Sequence, residues 1–299
     1  MDRTAFADIS DDDLLNELKV RFEQKNKALK DLRTMHDKLD LAHTRLLEAD
    51  ALKSHFLGII RNEIKNPLAA ISGLARLLAE KKVVDQNRLI EIMETIVGEA
   101  HHLSFQLDNI LEAALLEAGE QHLVRHSVDP AAMIRDILQE QAYDIKAKGL
   151  AVTTDLEDHL RIVADGAKVK LILANVISNA VKFNQDQGAV HIRLKGGGET
   201  VEITVADTGE GIRRQDARLI FERFKQADMG IARKHGGTGL GLSVAVALTG
   251  LLGGKIRHEP RPGGGTTFYV TLPRSGHDQA LCIPGHIDDR DETGDAVLF

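Results

Sequence analysis

A chain of 299 residues, 43% hydrophobic and 28% charged, is long enough for more than one domain and has the balance of a globular protein with some long amphipathic helix. Its formal charge of -7, with no basic stripe interleaved with aromatics, excludes a nucleic-acid footprint. One cysteine, Cys282, excludes an internal disulfide frame and fits a reducing cytoplasm. No apolar run reaches the about 18 residues of a membrane-spanning helix, and the start MDRTAFADISDDDLL is acidic where a signal peptide is basic. A cytoplasmic protein without a membrane span is therefore expected.

Asp11 to about Leu52 is polar, rich in Glu, Lys and Leu, and free of glycine and proline. Leu18, Lys25, Leu32, Leu39, Leu46 and Lys53 fall on a heptad, with Phe22, Leu29, His36 and His43 on the alternate one. This predicts a coiled-coil helix over 1–50, with both histidines as polar seam residues that set register. The next segment, 51–119, predicts a helical hairpin. In its first helix Phe56, Ile59, Ile60, Ile64, Leu68, Ile71, Leu74 and Leu78 recur at threes and fours, so one stripe is buried, and Pro67 is expected to kink it. After EKKVVDQ a second helix, about Asn87 to Glu117, repeats the stripe from Ile92 to Ala114. One hairpin cannot bury both stripes, so a homodimeric four-helix bundle is expected. His101 and His102, on the second helix, read as helix-surface residues ahead of the alternative, replacement phosphoryl acceptors.

From 120 to 275 the pattern changes to alternating strands and helices. HLVRHSV reads as a strand, Asp129-Pro130 as a capped helix start running to roughly Lys146. LAVTTDL and RIVAD read as strands, KVKLILANVISNAVKFN as an apolar helix, VHIRLKGG and VEITVADTG as a strand pair, and GKIRHEPRPGGGTTFYVTLP as a closing hairpin. The expectation is an α+β multidomain chain whose last ordered part is an α/β sandwich, one mixed sheet beneath helices. The tail 276–299 carries six acidic residues against Arg290, and disorder is expected there.

Four clusters in the sandwich carry chemistry. Asn175 and Asn179 stand one helical turn apart, followed by Lys182 and Phe183. Asp207-Thr208-Gly209-Glu210-Gly211 follows a strand. Ile220 to Phe224 reads IFERF, and Gly237-Thr238-Gly239-Leu240-Gly241-Leu242 opens a helix. Glycines let backbone N–H groups approach phosphates, and a helix start favours anions. Neither G-x-x-x-x-G-K-[ST] nor G-x-G-x-x-G occurs.

Together these clusters resemble the ATP-binding domain shared by histidine kinases, type II topoisomerases, Hsp90 and the MutL proteins. The resemblance implies that Asp207 accepts from the adenine amino group and that Asn179 holds Mg²⁺. It places Asn175 and Lys182 by the phosphates, with Phe183, Gly209, Gly211, Phe224, Arg233, Gly237, Thr238, Gly239, Leu240, Gly241, Leu242 and Thr266 about the nucleotide. Lys225 to Gly236 would form a lid. The ATP-hydrolysing relatives carry a glutamate where Asn175 stands, and an amide cannot take a proton from water. The hairpin resembles the dimerisation helix of sensor histidine kinases, F-L-x-x-x-S-H-E-[LI]-[RK]-[TN]-P-L. Phe56 and Leu57 open that match, and Glu63, Ile64, Lys65, Asn66, Pro67 and Leu68 close it. Asn62 stands at the place of the phospho-accepting histidine, and an amide nitrogen, its lone pair delocalised, is no nucleophile.

Three functions follow as expectations. The first is a two-component regulator that binds Mg-ATP without autophosphorylating and dimerises with itself or with an active histidine kinase. The second is a phosphatase of a response-regulator receiver domain, with Glu63 and Asn66 as the catalytic pair. The third is an active histidine kinase acting in trans.

Overall fold

The computed structural model describes residues 11–80, 85–213, 216–217, 219–221, 239–261 and 263–275. The chain divides into two units, Met1–Leu57 and Gly58–Phe299. Helix α1, Asp11–Ala79, contributes to each. In the first unit, the described heptad residues Leu18, Phe22, Leu29, Leu32 and Leu39 are all exposed, Leu39 by 67%. Among the described residues nothing covers that stripe. The Leu46 and Lys53 side chains of the heptad lie outside the described residues.

In the second unit α1 continues through Pro67, which is buried, to Ala79. The expected effect of proline does not end the helix, since the missing N–H removes a single rung of the ladder. Helix α2 follows at Gln86–Ala118. Asp85 caps it by accepting from Asn87 N, and Gly119, at φ 68°, closes it by donating to Leu115 O. Ile92 and Ala113 of α2 are buried, whereas Ile90, Met93, Val97, Leu107 and Leu111 remain exposed, so the hairpin covers only part of its stripes.

The sandwich begins with β1, Arg125–Val128, and α3, Pro130–Glu140. Asp129 caps α3 by accepting from Ala132 N at 3.0 Å, with proline in the first turn. The single helix expected to run to Lys146 is two, because Gln141 leaves helical geometry before α4, Ala142–Ala147. No glycine or proline marks that break. Strands β2, Ala151–Leu156, and β3, Ile162–Asp165, lead into α5, Gly166–Lys182, whose cap Asp165 accepts from Lys168 N at 3.2 Å. Then come β4, Ala189–Gly197, β5, Thr200–Asp207, a short 3₁₀ turn at Leu219–Phe221, α6, Gly241–Leu251, β6, Lys255–Pro260, and β7, Thr266–Pro273.

Five strands form a mixed sheet in the order β2-β4-β5-β7-β6, parallel only between β2 and β4. The expectation of one sheet is corrected in one respect. β1 and β3 pair with each other as a separate antiparallel ribbon, His126 opposite Ala164. Alternating apolar residues identify a strand but not its partner. The core lies between the main sheet and the helices. Val190, Ile192 and Leu194 of β4 and Val201, Ile203 and Val205 of β5 alternate inward with no exposure, as do Val169, Ile172, Leu173 and Ile177 of α5. α5 packs on α3, α6 and β5. Its C-terminal turn and the end of β5 are thereby brought to the same side of the molecule.

Candidate functional site

Asp207, last in β5, is 7% exposed. Its Oδ1 accepts from Gly209 N at 2.8 Å and from Thr266 N at 3.2 Å, which leaves Oδ2 for another donor. Burial pushes its pKa up, and the two N–H bonds and the nearby Arg261 guanidinium only partly oppose this. The backbone around it is close-packed. A Cβ on Gly209 would stand 2.3 Å from Phe183 O, and one on Gly265, whose φ is +93°, 2.1 Å from Asp207 O. Gly265→Ala therefore adds left-handed strain to a clash with backbone that cannot step aside. We expect a loss of about 2 kcal/mol or more, read as a fall in urea midpoint. An unchanged midpoint would refute this close packing.

On the facing wall, α5 ends with Lys182, whose Nζ lies 5.5 Å from the Phe183 ring centre. Burial lowers the Lys182 pKa, Glu63 opposes the shift, and Lys148 adds to it. Lys148 itself donates to Val181 O at 3.1 Å and to the carbonyls of Lys182 and Asn184, so a cation sits on the carbonyls at the negative end of α5. Thr208 ties the two walls together. Its hydroxyl accepts from Ala189 N at 2.8 Å and donates to Asn184 Oδ1 at 3.2 Å.

Asn175 and Asn179 share α5, but their surroundings differ. Asn179 is half-buried. Asn175 is buried, and its Nδ2 donates to Asn109 Oδ1 on α2 at 2.7 Å and to Leu171 O. One turn further along α2, Glu112 meets Lys168 of α5 at 2.7 Å, the pair 13% and 10% exposed. The hairpin thus grips α5 through Asn109 and Glu112. Sequence reasoning missed both, although two polar residues three apart beside Ile110 and Ala113 on an apolar stripe were the available signal. It also missed Arg261, which donates to Asp207 O at 3.3 Å. Gly211, at φ +74°, approaches Gly265. Gly239, buried Leu240, Gly241 and half-buried Leu242 form the start of α6, and Thr266 is buried beside Asp207. Phe224, Arg233, Gly237 and Thr238, with the lid and the acidic tail, lie outside the described residues.

On α1, Asn62 and Asn66 are exposed and Glu63 is half-buried. Gln106 Nε2 of α2 donates to Glu63 Oε2 at 3.0 Å. Glu63 and Asn66 are one turn apart on the same side of the helix. No helix among the described residues is long and apolar enough to cross a membrane.

Two family models match the chain. Residues 52–119 match the His Kinase A (phospho-acceptor) domain, and residues 164–276 match the Histidine kinase-, DNA gyrase B-, and HSP90-like ATPase. The chain is 32% identical over 273 residues to the sensor protein GacS of Pseudomonas syringae pv. syringae, covering 88% of this chain and 30% of GacS. It is 33% identical over 271 residues to the circadian input-output histidine kinase CikA of Synechococcus elongatus, covering 87% of this chain and 34% of CikA. It spans about a third of the length of these relatives. Among solved structures, full-length ShkA in complex with AMPPNP matches at a TM-score of 0.52 and 27% identity, covering 75% of this chain and 46% of ShkA. With a phospho-acceptor-type hairpin followed by this ATPase domain, the chain is a histidine kinase-like protein of two-component signalling.

Proposed function

We propose that this chain is a nucleotide-binding regulator of two-component signalling whose ordinary autophosphorylation site is lost, a pseudokinase at position 62. One observation carries the reading. The residues around Asp207, Gly209, Thr266 and the end of α5 are held in a close-packed cradle, while the exposed residue before Glu63 is asparagine. In this reading the Oδ2 of Asp207 accepts from the adenine amino group, and the half-buried amide oxygen of Asn179 and the phosphates hold Mg²⁺. Lys182 faces the phosphates, and the start of α6 offers them its N–H groups. The cradle fits a purine, since its walls carry an aromatic face at Phe183 and a buried acceptor at Asp207. Mg²⁺ supplies charge neutralisation of the phosphates when bound.

Exposed apolar stripes on α1 and α2 support a homodimer, a coiled coil continued into a four-helix bundle. A response-regulator receiver domain or an active histidine kinase is the proposed partner. The test is labelling with γ-labelled ATP and Mg²⁺ followed by peptide mapping. Asn62→His is expected to gain acid-labile phosphate on its α1 peptide, and the unmodified chain to carry none there. An Asn62→His chain that binds nucleotide and stays unlabelled on α1 would contradict the reading.

A second reading rests on Glu63 being fixed by Gln106 with Asn66 exposed one turn away. An amide there can orient water for in-line attack on a receiver's aspartyl phosphate. Asn66→Ala is expected to slow the loss of phosphate from a phosphorylated receiver. If the receiver loses phosphate no faster with the protein than without it, the second reading is wrong.

A further inference from the structure

A helix leaves its last four carbonyls without partners inside its own ladder, and in α5 each of them is met by a group beyond the helix. Asn179 O accepts from Phe183 N at 3.0 Å, and Ala180 O from Asn184 Nδ2 at 3.1 Å. Val181 O accepts from Asn184 N at 3.4 Å and from Lys148 Nζ at 3.1 Å, and Lys182 O accepts from the same Nζ. That ammonium also donates to Asn184 O at 3.3 Å, so its three donors all face main-chain oxygens. The backbone beside it is strapped to the same stretch. Lys148 O accepts from Gln187 N at 2.8 Å, and Ala151 N donates to Gly188 O at 2.9 Å. Desolvation lowers the Lys148 pKa, while the Asp186 and Asp144 carboxylates favour its charge. Three carbonyls converging on one positive centre, at the negative end of a helix, are the donor set of a monovalent-cation site. In this chain the cation is tethered.

The residues so fixed reach directly into the nucleotide site proposed above. Lys182 lends the cation its carbonyl. Phe183 follows, and its own O accepts from Glu210 N at 3.4 Å and would stand 2.3 Å from a Cβ on Gly209. Gly209 N in turn donates to Asp207 Oδ1. We infer that Lys148 is a positioning residue of that nucleotide site, on which the inference rests, its ammonium filling a monovalent-cation site of the Val181, Lys182 and Asn184 carbonyls. It thereby sets Lys182 and Phe183 in place against Asp207. Without the charge, three carbonyl dipoles face one another and the turn after α5 moves off Gly209. A free cation that carbonyl oxygens can hold, potassium or ammonium, restores what the tethered one supplied wherever the space is open.

The test measures binding of a fluorescent ATP analogue with Mg²⁺ by the full chain, in about 150 mM choline chloride and in the same concentration of potassium or ammonium chloride. The unmodified chain is expected to bind alike in all three salts. Lys148→Ala should bind about tenfold more weakly in choline and return to within about twofold of the parent in potassium or ammonium. Lys148→Met, whose side chain closes the space without a charge, should be weakened as much and recover in neither. A merely structural lysine would lower the unfolding temperature and leave the affinity of the folded variant alone. Parent-like binding by Lys148→Ala in choline, weakened binding that potassium and ammonium leave unchanged, or equal recovery of Lys148→Met would overturn the inference and leave the nucleotide site standing. If Lys148→Ala is unfolded in choline, potassium or ammonium is expected to fold it, and a chain unfolded in all three salts overturns the inference as well. Failure of the unmodified chain to bind the analogue would overturn both.

Discussion

Replacing Asp207 by asparagine is expected to weaken nucleotide binding about 100-fold while leaving the fold as stable as before or more so. The two effects have separate causes. An asparagine oxygen still accepts from Gly209 N and Thr266 N, the bonds made by Oδ1, so the turn after β5 and the start of β7 stay tied. The other atom changes from an acceptor to an NH₂ donor, which meets the adenine amino group as donor against donor. A lost charge-assisted bond plus an opposed pair lowers affinity by about 100-fold. Stability moves the other way because burial at this place disfavours the charged form of Asp207. Its folded pKa is raised above the ordinary 3.8 by burial, so between the two values the folded state holds more proton than the unfolded one. Stability from this group is complete below 3.8 and is lost as pH rises through the folded value. The asparagine variant has no such slope. Thermal unfolding from pH 3.5 to 7, with titration of a fluorescent ATP analogue at pH 7, checks both halves. A variant that binds normally would remove Asp207 from the adenine role, and one that unfolds would show that the charge holds the turn.

The second large effect is expected at the grip between hairpin and sandwich. Glu112→Ala leaves the Lys168 ammonium, 10% exposed, without its counter-charge beside the first turn of α5. Breaking a buried pair from one side costs about 3 kcal/mol, a fall in Tm of several degrees. Lys168→Met in the same chain should recover most of it, because the penalty belongs to the stranded charge rather than to the absence of a bond. A single variant as stable as the parent would mean that water reaches Lys168. A double variant no better than the single would mean that the pair is needed as a pair. Asn109 is the neighbouring test of the same contact. Its Oδ1 accepts from Asn175, a residue the resemblance sets beside the phosphates, so the grip and the proposed nucleotide site share a side chain.

Much of this was readable before any coordinates. The cap Asp129 and the break at Gly119 depend on a residue type and its immediate neighbours, and local signals of that kind survive folding. The alternation of β4, β5 and β7 likewise fixed which residues face the core. What escaped depends on contacts distant in sequence. The β1–β3 ribbon, the gap at Gln141 and the Asn109–Asn175 bond, 66 residues apart, have no local signature. The bond from Gln106 to Glu63 has none either. For the site, the sequence clusters named the residues, whereas the burial of Asp207 and the cation of Lys148 on the end of α5 required the fold. Position 62 is the reverse case. Structure adds little there, because the consequence of asparagine is set by the electronics of an amide.

The most direct test of the central claim is therefore peptide-resolved phosphorylation of the α1 helix, in the unmodified chain and in Asn62→His, at saturating Mg-ATP. The account predicts no phosphate on the α1 peptide of the unmodified chain and acid-labile phosphate on that peptide once residue 62 is histidine. Phosphate on α1 of the unmodified chain would contradict it.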